Sequence, residues 1–83
     1  MSPRAINDIE GFAFSFFSNE GFEPAHIHVT KGDGSAKFWV YKRQPSVLQE
    51  YYNFKKQELK RAFELVEENK LKILKQWNDR QKN

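Results

Sequence analysis

Eighty-three residues make one domain, near the lower size limit for a chain that folds on a single apolar core. There is no cysteine and no run approaching the roughly 18 apolar residues of a membrane span, which excludes a disulfide framework, a thiolate metal site and a spanning helix, and fits a cytoplasmic protein. The net charge of +3 is uneven: residues 1–41 sum to −2 (three Lys or Arg, five Asp or Glu) and residues 42–83 to +5 (eleven against six).

The chain begins with a short apolar-containing run, Ala5 to Ile9, whose Ile6 and Ile9 would fall on opposite faces of a regular strand. A turn at Glu10-Gly11 follows. Phe12 to Ser18 alternates with period two and is rich in aromatics, so it reads as a strand with Phe12, Phe14 and Phe16 toward the core. Asn19 to Pro24 is a loop by its Asn, Gly and Pro content. Two strands, His26 to Thr30 and Ala36 to Tyr41, then flank Lys31-Gly32-Asp33-Gly34-Ser35, a hairpin signal. A two-residue turn at Gly32-Asp33 or Asp33-Gly34 puts Ile27, Val29, Ala36, Phe38 and Val40 on one apolar face. His26, His28, Lys37, Trp39 and Tyr41 share the other. A slip of one residue would mix the two sets, which a half-buried sheet disfavours.

Lys42 to Pro45 breaks the sheet, and Val47, Leu48 and Tyr51 read as one turn of helix. From Lys56 the period is helical, with Leu59, Ala62, Phe63, Val66, Ile73, Leu74 and Trp77 on one stripe. Lys70 falls in the middle of that stripe, which predicts a break near Glu68-Asn69-Lys70 and two helices. Glu58–Arg61, Lys60–Glu64, Glu68–Lys72 and Lys75–Asp79 are spaced to neutralise part of the basic surface, and Arg80 to Asn83 reads as a frayed tail. The expected architecture is a single α+β domain over residues 1–83. An antiparallel sheet of three or four strands occupies about residues 5–41, and a helical region over about 47–80 packs on one face. Phe12, Phe14, Phe16, Ile27, Val29, Phe38, Leu59, Phe63 and Val66 are the expected core.

Gly11-Phe12-Ala13-Phe14-Ser15-Phe16-Phe17-Ser18-Asn19, then Pro24-Ala25-His26-Ile27-His28-Val29, Ala36-Lys37-Phe38 and the helical stretch from Glu58 through Trp77, resemble a family of small bacterial proteins known as domain of unknown function 4160. The Pro-x-His-x-His-Val segment after an aromatic strand is the specific element. Where the family pattern has a second proline before the first histidine, this chain has Ala25. The resemblance implies a gene context like that of toxin–antitoxin pairs, and no established activity.

The polar face of the hairpin is the candidate site: His26, His28, Lys37, Trp39 and Tyr41. Four readings apply to its histidines. They can be half-buried groups that pack on Trp39 and Tyr41 and hold the strand register. They can belong to a binding face, since Trp and Tyr anchor protein interfaces and sheet aromatics also stack on single-stranded nucleic acid. They can cleave RNA without a metal, one imidazole taking and the other giving a proton while Lys37 or Arg43 steadies the phosphorane. Two histidines on one side of the phosphorus suit in-line displacement poorly. Finally, they can offer two of four ligands to a metal, but without thiolates or fixed carboxylates no metal site is expected, and no cofactor. The balance favours a binding module over an enzyme, its partner a cognate small protein. Nucleic acid at the basic C-terminal half is the alternative partner. A second copy is a further way for so short a chain to complete its core.

Overall fold

The computed structural model describes residues 4–16 and 24–81. Five strands, β1 (Arg4–Ile9), β2 (Phe12–Ser15), β3 (His26–Lys31), β4 (Gly34–Trp39) and β5 (Val47–Tyr52), form one antiparallel meander in sequence order. Helices α1 (Lys56–Glu68) and α2 (Lys70–Gln81) follow. The fold is therefore α+β as expected, with five strands where three or four were predicted. Residues 17 and 18 of the aromatic run, the loop at 19–23 and the tail at 82–83 lie outside the described residues. Arg80 and Gln81 continue α2 instead of fraying from it.

β1 exists because of a bulge. Ile6 pairs with Phe14 and Ile9 with Phe12, with a register shift between them. Three residues therefore span what two span on β2, and both isoleucines reach the face of Phe12 and Phe14, half-buried against the core. Glu10 and Gly11 make the turn with φ of 54° and 84°, the doubly positive pattern of a tight hairpin. Glu10 holds this left-handed conformation without being glycine, and its carboxylate receives a fork from Arg61 of α1 (Nε to Oε1 2.9 Å, Nη2 to Oε2 2.6 Å). Those hydrogen bonds hold the Glu10 carboxyl below its ordinary range. Arg61 also meets Glu64 and Glu68, and Glu58 accepts the Lys55 amide at the start of α1. Of the expected ion pairs Lys75–Asp79 forms, whereas Glu58 caps the helix instead of pairing with Arg61.

β3 and β4 pair from His26↔Trp39 through Lys31↔Gly34, so the turn is Gly32-Asp33, with Gly32 at φ 58°. Phe12, Phe14, Phe16, Ile27, Val29, Ala36, Phe38 and Val40 are buried beneath Ala62, Leu65, Val66, Ile73 and Trp77. Leu59 and Phe63, expected in the core, are half-buried at its margin, Phe63 leaning on Phe38 with ring centres 6.3 Å apart. Gly34 serves close approach: a Cβ there would collide with the Phe54 ring. Phe54 in turn meets Phe12 edge-on at 6.0 Å.

The helical break falls where Lys70 predicted it. Asn69 separates α1 from α2, its amide and its side-chain Nδ2 both donating to the Leu65 carbonyl. Lys70 reaches the Glu67 carboxylate at 3.0 Å and donates to the Gln44 carbonyl at 2.9 Å. Ser46 donates its amide and hydroxyl to the other oxygen of Glu67. A lysine in an apolar stripe is thus accommodated as the strap that holds the Gln44–Ser46 segment to the helix junction. Burial alone would push the Glu67 carboxyl up, but the Ser46 and Lys70 hydrogen bonds outweigh it and hold the group low. No described helix is long and apolar enough to cross a membrane.

Candidate functional site

The five predicted site residues are brought to one side of the hairpin, because antiparallel partners project to the same face. His26 pairs with Trp39 and His28 with Lys37. The hydrogen bond from the Val40 amide to the Ala25 carbonyl (2.9 Å) carries the pairing one residue further, which sets Tyr41 on that side too. The rows extend onto the neighbouring strands. Ser15, His28, Lys37 and Glu50 are successive partners across β2 to β5, and His26, Trp39 and Val47 across β3 to β5. The buried strand residues Phe12, Phe14, Ile27, Val29, Ala36 and Phe38 belong to the opposite face, and the site face meets the helices at its His26 end, through Trp77.

The two histidines have different surroundings. His26, only 1% exposed, is closed in. Its ring lies 4.8 Å from Trp77, 5.7 Å from Trp39 and 5.6 Å from His28, centre to centre. Its Nδ1 is 3.0 Å from the Pro24 carbonyl, so that nitrogen carries the proton and donates. Trp77 also touches Phe16 at 5.7 Å, so the indole of α2 spans from the end of β2 to the start of β3. His28, Lys37, Trp39 and Tyr41 are half-buried. The Lys37 ammonium lies 4.7 Å from the Trp39 ring centre, a cation–π contact that presents a positive charge and an indole together. Arg43, the other candidate cation, is exposed on the segment after β4.

Among the described residues no group of three or more His, Cys, Asp or Glu is placed to hold a metal ion. The arrangement presents an aromatic surface, a cation and an imidazole on a sheet face, with an open strand edge beside them. That edge, β5, escaped the sequence reading, which took Val47, Leu48 and Tyr51 for a helical turn. All six of its residues are exposed, including Val47 (48%), Leu48 (38%), Tyr51 (49%) and Tyr52 (61%). The reason for the misreading is physical. A register shift lies between the pairs Lys37↔Glu50 and Phe38↔Leu48, leaving Gln49 as an extra residue. The bulge replaces period two with a spacing that resembles a helix. The β-branched and aromatic composition of the run was the signal for a strand.

A family model matches residues 11–78, from the turn before β2 to one residue past Trp77. The chain belongs to the family described as domain of unknown function (DUF4160). All five site residues and β5 lie inside the DUF4160 match, and β1 lies outside it. Comparison with curated proteins and with solved structures returned no match.

Proposed function

We propose that this DUF4160 chain is a small regulatory module that acts by binding a cognate small protein, in the manner of a toxin–antitoxin pair. Its working surface is the sheet face of His28, Lys37, Trp39 and Tyr41. The observation that carries this reading is the pairing of Lys37 with a half-buried Trp39 on the sheet face away from the Phe12, Phe14 and Phe38 core. Trp supports interface anchoring, and the adjacent cation supplies selectivity for an acidic or carbonyl-rich segment. His26 acts in this reading as a support, packed edge-on against Trp39. Its closure also weighs against RNA cleavage by a His26/His28 pair, because a general acid or base must reach the substrate within hydrogen-bonding distance.

The test is calorimetric titration of the full chain with the protein encoded beside it. Trp39→Ala and Lys37→Ala are each expected to weaken binding roughly 30-fold, the size of an interface anchor. Unchanged affinity in both variants would remove this face from the argument. Binding to RNA that falls steeply with salt would favour nucleic acid as the partner instead.

A further inference from the structure

The exposed edge strand has a property that becomes visible only with its bulge. In a regular strand, residues three or five apart point to opposite faces. In β5, Leu48 pairs with Phe38 and Tyr51 with Ala36, and those two β4 residues are two apart. Leu48 and Tyr51 therefore share the helix-bearing face and the same backbone orientation. Val47 and Tyr52, the partners of Trp39 and Ser35, share the other face in the same way. The extra residue Gln49 produces this match.

From this we infer that β5 is a seam for a second copy of this chain, joined antiparallel about a two-fold axis between Gln49 and Glu50. A direct isologous pairing requires each residue to meet a partner on its own face. With the bulge, β5 meets that condition. Val47 lies opposite Tyr52 of the second copy on one face, Leu48 opposite its Tyr51 on the other, and Gln49 opposite its Glu50. Each apolar–aromatic pair occurs twice, covering the four large side chains that β5 leaves in water. On the helix side Leu48 adjoins Phe38, which Phe63 overlies, so that pair continues the existing core.

Charge selects the same arrangement. A parallel, in-register pairing would stack Glu50 on Glu50, a like-charge contact, whereas the antiparallel one sets it against an amide. Of the devices that keep an edge strand unpaired, β5 contains neither lysine nor proline, and its one charge, Glu50, meets Gln49 across the axis. Its bulge, which elsewhere turns an edge away, here aligns the faces. The product is one continuous ten-stranded sheet. This inference is independent of the sheet-face reading, since it uses other residues and its test needs no partner protein.

The experiment is sedimentation equilibrium or light scattering on the full chain over a range of concentrations. A seam one strand long lies at the small end of specific interfaces, near or below roughly 1,200 Å². The mass is therefore expected to rise from 9.9 kDa toward twice that value as concentration increases. Gln49 has no partner on β4, so it can be changed without breaking the ladder within the chain. Gln49→Glu places two like-charge pairs across the axis and is expected to weaken dimerisation about 2- to 30-fold, whereas Gln49→Lys should strengthen it. The chain has no cysteine, so Leu48→Cys with Tyr51→Cys should give a covalent dimer on mild oxidation, and either substitution alone should not. Thermal melts at low concentration check that each variant still folds. A folded monomer at every concentration would overturn the inference. So would a dimer insensitive to the charge at position 49, or β5 variants that abolish binding of another protein while the free chain stays monomeric.

Discussion

Replacing His26 by alanine should destabilise the fold far more than the same change at His28, although the two lie two residues apart on one strand. His26 is 1% exposed and its ring contacts Trp77, Trp39 and His28. Aromatic contacts of this kind contribute about 0.5–1.5 kcal/mol each, and truncating a buried ring of Phe size costs about 3–5 kcal/mol. Imidazole is smaller, and its hydrogen bond to the Pro24 carbonyl contributes about 1 kcal/mol net. Because Pro24 is exposed, water can satisfy the carbonyl after the change. The expected loss is on the order of 3 kcal/mol, which lowers the Tm of a domain this size by roughly 12–24 °C. The half-buried His28 should cost less than about 1 kcal/mol on truncation and shift the Tm by under about 8 °C. Circular dichroism melts read both, and indole fluorescence reports on Trp39 and Trp77 directly. A His26→Ala variant melting within about 4 °C of the parent would refute the reasoning, because it would mean the ring is not packed between the two indoles. Any functional loss in that variant should follow the loss of folded protein.

Two further outcomes follow from the packing and the ion pairs. Gly34→Ala drives a Cβ into the Phe54 ring and should cost several kcal/mol, read as a large fall in denaturation midpoint. Adding Phe54→Ala should cost less in that background than in the parent, because it also clears the space the Cβ needs. For Glu67 the folded state holds the carboxyl below its ordinary range, so its contribution is present above the unfolded value and lost as pH falls through the folded one. Wild type should therefore be more stable than Glu67→Gln at pH 7, with the difference closing below about pH 4. A difference that stays constant across this range would mean that Ser46 and Lys70 do not act on the ionised form.

The central hairpin was legible in the sequence because alternation and turn chemistry agreed there. One apolar set and one polar set admit a turn at Gly32-Asp33 or at Asp33-Gly34, and either register groups His26, His28, Lys37, Trp39 and Tyr41; the fold takes Gly32-Asp33. The helical break was legible for a similar reason, since Lys70 could not continue an apolar stripe unless something received its charge. The outer strands were not legible. Two register shifts in β1 and one extra residue in β5 break the period, so Ile6 and Ile9 seemed to conflict and Val47 to Tyr52 imitated a helix. Bulges are specified by the partner strand, which a local pattern does not contain.

The different roles of the two histidines were likewise decided by tertiary structure. Local sequence places both imidazoles on one face of β3. Only the packing of α2, fifty residues downstream in round terms, brings the Trp77 indole over His26 and leaves His28 half open. Alternation determines which side of a strand a residue occupies, and it does so within a few residues. Burial depends on what the rest of the chain lays on that side, and here that is a contact between the start of a strand and the end of a distant helix.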